Sequence, residues 1–86
     1  MLLDVREPHE AAIARIEGSR LIPLNDLPAR VSELDSTDSI VAYCHHGLRS
    51  ASATAFLRSA GFRKVHNLSG GIDHWAVQVD PSLARY

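Results

Sequence analysis

Four short apolar runs alternating with helix-period segments predict an α/β fold, a small and mainly parallel sheet with helices on both faces. Three observations carry that prediction. The runs LLDV, RLIPL, SIVAYC and KVHNL are strand-length and too short for buried helices. The segments between them place apolar residues at three- and four-residue intervals. A chain of 86 residues, 45% apolar, suits one small domain with a single packed core.

Taken in order, LLDV (Leu2 to Val5) reads as a buried strand with a polar residue near its exit. EPHEAAIARIEGS follows, with Pro8 at the first helical turn, Ala11, Ala12 and Ile16 facing inward, and Gly18 as punctuation. RLIPL (Arg20 to Leu24) is a brief strand. NDLPARVSELDS is a second helix, capped by Asn25 or Asp26, with Leu27, Val31 and Leu34 on one face. SIVAYC (Ser39 to Cys44) carries no alternation, the pattern of a central strand covered on both faces. SASATAFLRSAG (Ser50 to Gly61) is a helix with Ala53, Phe56, Leu57 and Ala60 inward and Gly61 as its C-terminal cap. KVHNL is a strand, SGG a turn, and GIDHWAVQV a last helix with Ile72, Trp75 and Ala76 on one side, Trp75 as a core anchor. DPSLARY is a tail. There are no repeats or linkers.

Composition narrows the function. Nine Lys and Arg against ten Asp and Glu, giving a net charge of −1, supply no basic stripe for a phosphate backbone, so nucleic acid is not expected as a partner. No apolar run approaches the roughly 20 residues that span a bilayer, and the N-terminus lacks a leader pattern, so no membrane is expected and the chain reads as cytoplasmic. One cysteine forms no internal disulfide, in keeping with a reducing compartment.

That cysteine opens the stretch CHHGLRS, Cys44 to Ser50, between the central strand and a helix. In parallel sheets ligands bind beyond the carboxyl ends of the strands. A loop curled there, with Gly47 permitting the curl, turns backbone N–H groups and a helix N-terminus toward one point and favours negative charge. A thiol at that point is drawn toward the thiolate, and Arg49 adds a full positive charge. Cys44 is therefore expected to be reactive rather than inert packing. The adjacent His45 and His46 do not converge on one ion, and His66 and His74 show no ligand spacing, so no metal is expected. An imidazole beside the thiol titrates near neutral pH and can orient or protonate a reactant.

Four segments, LLDVREPHE, IEGSRLIPL, YCHHGLRS and FLRSAGFRKVHNLSGGIDHW, in this order and spacing, resemble a rhodanese-like sulfurtransferase domain over almost the whole chain. The resemblance implies a rhodanese-like fold lacking the helix and strand with which many members open. It also implies that Cys44 takes a sulfane sulfur from a donor such as thiosulfate, holds it as a persulfide, and passes it to cyanide, a thiol or a sulfur-carrier protein, with no cofactor. His45, His46, Gly47 and Leu48 would surround the sulfur and Arg49 would draw the donor anion. Asp4 and Arg6 match the family's Asp-x-Arg and are expected to fix the start of the fold, with Glu10 near the mouth. ARIEGS stands where the family often has Gly-His-Ile-Pro-Gly-Ala, a departure that touches local packing. The tail WAVQVDPSLARY is similar to that of rhodanese domains fused behind adenylating enzymes.

Two rivals remain at this point. Phosphatases and arsenate reductases with a cysteine loop ending in arginine hold one residue more than the four here, His45 to Leu48, and no Asp general acid is evident. A non-catalytic docking or regulatory module would not need Cys44 and Arg49.

Overall fold

The computed structural model describes residues 1–86. Four strands, β1 (Leu2–Asp4), β2 (Arg20–Leu21), β3 (Ile40–Tyr43) and β4 (Val65–Asn67), form a parallel sheet in the order β2-β1-β3-β4. Leu3 lies opposite Arg20 and Ala42, and Ala42 opposite Asn67. Helices α1 (Pro8–Ile13), α2 (Leu27–Arg30), α3 (Leu48–Ser59) and α4 (Gly71–Gln78) fill the connections.

Strand alternation divides the sheet's two faces. Leu3 and Val5 of the first run and Ile40, Ala42 and Cys44 of the third turn to one face, where Leu27, Leu34, Ala53 and Leu57 close a core of 11 buried residues that includes all of these but Ala42. Tyr43 turns to the other, against Ala14, Ile16 and Ile72, with Trp75 and Leu83 half-buried around them. Helices thus cover both faces, α3 on the first and α4 on the second.

Several boundaries differ from the sequence expectation, each for a local reason. Helix α1 stops at Ile13 because Ala14 turns to extended backbone and gives its carbonyl to Arg6 (2.7 Å). Ile16 is therefore buried outside the helix, while Ala12 is exposed. β2 is only two residues long, although the Ile22 N–H still donates to the Asp4 carbonyl and Leu24 to Val5. The second predicted helix is one α-turn between two 3-10 turns, Leu24–Asp26 and Val31–Glu33. Pro28 falls in the first turn of α2, where its missing N–H costs nothing, and Leu27 and Leu34 reach the core all the same. Helix α3 begins two residues earlier than expected and buries Ser50, Ala53, Thr54 and Leu57, leaving Ala60 exposed. The Phe62 N–H closes its end on the Leu57 carbonyl at Gly61.

Candidate functional site

Cys44 is the first residue past β3, at the carboxyl end of the sheet, with α3 beginning four residues on. Its side chain is 1% exposed, yet its sulfur faces donors. The Gly47 N–H lies 3.1 Å from Sγ, and the Ser50 N–H and hydroxyl each lie 3.4 Å away. The curl depends on Gly47, whose φ of 110° disfavours any side chain. Its carbonyl accepts from the Ala51 N–H (3.0 Å), the Ser50 hydroxyl (3.2 Å) and Asn67 Nδ2 (3.2 Å). The Ser50 hydroxyl also meets Asn67 Oδ1. Its one proton therefore has three acceptors within reach, the sulfur among them.

Helix α4 holds the loop from the other side. The Ile72 N–H donates to the Cys44 carbonyl (2.8 Å) and the Asp73 N–H to the His45 carbonyl (3.1 Å). Both carbonyls are thus drawn to that helix end, which fixes the start of the loop. The approach is close enough that a Cβ on Gly71 would overlap both carbonyl oxygens.

Burial pushes the Cys44 thiol up, but hydrogen bonds from the Ser50 hydroxyl and N–H and from the Gly47 and Arg49 amides outweigh it, leaving the thiol below its ordinary value. The loop favours negative charge on sulfur.

Around this loop runs a chain of ion pairs. Arg6 is fully buried and binds both oxygens of Asp4 (2.9 and 2.8 Å). Arg49 binds both oxygens of Glu10 (2.6 and 2.8 Å). The Arg49 guanidinium holds the Glu10 carboxyl down to about 2, against the upward push of burial and with help from the Tyr86 hydroxyl. Arg49 therefore meets its counter-ion within the chain rather than standing as a free cation. Tyr86 joins the two pairs, accepting from Arg6 (2.8 Å) and donating to Glu10 (2.8 Å), while its ring stacks on His45 with centroids 3.8 Å apart.

The structure thus brings Cys44, His45, Gly47, Arg49 and Glu10 together, with Asp4 and Arg6 one link away. Leu48 is different: its side chain is 83% exposed, and the amides that face the sulfur are those of Gly47, Arg49 and Ser50, not His45 or Leu48. His46 is exposed, 4.0 Å from the His45 ring. Burial, followed by the neighbouring His46, lowers His45 from the ordinary imidazole value and so favours its neutral form. Sequence reasoning missed Ser50, Asn67, Gly71 and Tyr86. Only Ser50 gave a local signal, as the residue closing the Cys44 stretch.

A ring of donors around a low-lying thiol stabilises a thiolate, or a further sulfur carrying the charge in its place. A family model of the rhodanese-like domain matches residues 1–78. A sulfurtransferase of Allochromatium vinosum is 40% identical over 98% of this chain and 78% of its own length. The thiosulfate sulfurtransferase GlpE of Stutzerimonas stutzeri is 36% identical over 87% of this chain and 69% of its own. Other relatives are much longer, and the chain spans only 30% and 22% of two of them. The crystal structure of a rhodanese-related protein from Thermoplasma volcanium superposes with a TM-score of 0.86 at 35% identity, covering 91% of this chain and 77% of that one. The chain belongs to the rhodanese-like domain family.

Proposed function

We propose that this chain is a sulfurtransferase that carries sulfane sulfur on Cys44. The observation that carries the reading is the set of donors from Gly47 and Ser50 aimed at Sγ. The Cys44 thiolate attacks the outer sulfur of thiosulfate, an S–S bond forms as the donor's S–S bond breaks, and sulfite leaves with the electron pair. The persulfide then hands its terminal sulfur to a nucleophile: cyanide leaves as thiocyanate, and a thiol, free or on a sulfur-carrier protein, leaves as a persulfide. Cys44 returns as thiolate, so the chain is neither oxidised nor reduced over the cycle.

Gly47 and Ser50 stabilise the charge at each stage. Arg49, tied to Glu10, steadies the loop and presents the positive edge of an ion pair to an anionic donor. Neutral His45 and exposed His46 line the approach. Asp4 and Arg6 anchor the backbone beneath. No metal or organic cofactor takes part. A reducing, cytoplasmic compartment keeps such a thiol available.

A second reading rests on length: because some relatives are several times longer, the same chemistry would serve delivery of sulfur to a partner module in a larger protein. Thiosulfate and cyanide at varied concentrations test the first reading by thiocyanate release. Parallel double-reciprocal lines and no turnover by Cys44→Ser are expected. Equal turnover by Cys44→Ser, or hydrolysis of an aryl phosphate in place of sulfur transfer, would overturn it.

A further inference from the structure

Tyr86 lies beyond residues 1–78 matched by the family model, yet it touches Arg6, Glu10 and His45 at once. We infer that Tyr86 is a positioning residue for sulfur transfer, its hydroxyl bridging Arg6 to the Glu10–Arg49 pair and its ring holding His45 beside Cys44. The inference rests on the sulfurtransferase reading for its kinetic consequence, but its geometry does not.

The direction of each bond is forced. A guanidinium has no acceptor, so Arg6 Nη1 donates to the phenol oxygen at 2.8 Å, and the phenol proton goes to Glu10 Oε2 at 2.8 Å. Asp4, Arg6, Tyr86, Glu10 and Arg49 form one continuous chain from the first strand to the first turn of α3. The ring lies 7° from parallel with His45, the residue after the nucleophile. The tail is fastened short of Tyr86: Arg85 binds both oxygens of Asp73 (3.0 and 3.1 Å), and Leu83 packs on the second core cluster. A residue so anchored fixes the loop from outside it and touches no reacting atom.

Two variants separate hydroxyl from ring. Tyr86→Phe keeps the stacking and loses the bridge; Tyr86→Ala loses both. Two readouts apply, thiosulfate kinetics and the pH dependence of Cys44 alkylation by iodoacetamide, each at a temperature where circular dichroism shows the variant folded. His45, His46 and Arg49 on the loop and the start of α3, Asp4, Arg6 and Glu10 on β1, the turn after it and α1, and Asp73 on α4 are the titratable or charged side chains grouped there, and they are unchanged throughout. Loss of both charge-assisted bonds of the hydroxyl should lower kcat/KM at least about tenfold in Tyr86→Phe. Tyr86→Ala should fall further, with its alkylation midpoint shifted upward because the amide ring is no longer held. The alkylation profile needs no sulfur donor, so it judges Tyr86 even where the sulfurtransferase reading fails. If Tyr86→Ala keeps the wild-type midpoint, or keeps kcat/KM within twofold while Cys44 still gains sulfur, the inference is wrong.

Discussion

The two faces of the sheet are built on different physics. On one, Leu3, Val5, Ile22, Leu27, Ile40, Leu57 and Val65 pack with almost no exposure, and stability there comes from apolar area removed from water. On the other, a smaller apolar cluster shares its space with the buried Asp4–Arg6 pair and with the Tyr43 hydroxyl, which meets the Ile16 N–H and the Ser19 hydroxyl. Polar groups there have fixed directions and hold what they bond to in one place. Cys44 is where the two meet. Its side chain belongs to the apolar face, while the carbonyls around it are tied to helix α4 on the other. Apolar packing alone would make it an inert cysteine, and the polar fastenings give its sulfur donors to face.

That contrast is broken most severely at the sulfur itself. Cys44→Ser should lose sulfur transfer by at least about a thousandfold, as removal of a nucleophile does, while thermal unfolding shifts little. An unfolded Cys44→Ser protein would show that the thiol is chiefly core. Next, Arg6→Ala leaves Asp4 charged and unpaired in the interior and should cost about 3–5 kcal/mol by denaturant unfolding. The folded fraction should also lose activity, because Arg6 holds Tyr86.

Leu57→Ala on the apolar face should cost about 2–5 kcal/mol, with kcat/KM of the folded protein unchanged. Equal loss of activity per folded molecule in Arg6→Ala and Leu57→Ala would erase the distinction between the faces. Ser50→Ala, which removes one neutral donor, should weaken the thiolate by about 1 kcal/mol, seen as an upward shift of the alkylation midpoint.

The smallest effect is on acid stability. Glu10 is held near 2 in the folded chain against an ordinary 4.5, so its contribution is complete above the ordinary value and fades as pH falls from about 4.5 toward 2. Glu10→Gln should flatten that part of the stability profile. An identical profile in Glu10→Gln would mean that the Glu10–Arg49 pair adds nothing to stability.

The sheet was legible in the sequence because its strands are contiguous runs, and Ile40 to Tyr43 lie inside the run that names them. The Cys44 loop was legible for the same reason, its cysteine, glycine and arginine being neighbours in the chain. What stayed hidden acts across distance through common residue types. Asn67 ends a strand and Gly71 opens a helix, and nothing local says that one holds the Gly47 carbonyl and the other makes room for the Cys44 carbonyl. The sequence names no counter-ion for Arg49 because Glu10 lies 39 residues away. The short second helix was overestimated because the positions of Leu27, Val31 and Leu34 fit a helical face even though the backbone around them alternates between α and 3-10 turns.

The most direct test of a donor ring stabilising charged sulfur at Cys44 is the mass of the protein after brief exposure to thiosulfate. The expected result is a gain of one sulfur atom, located on Cys44 by peptide mapping and removed by cyanide with release of thiocyanate. An unchanged mass with the thiol still free would contradict it.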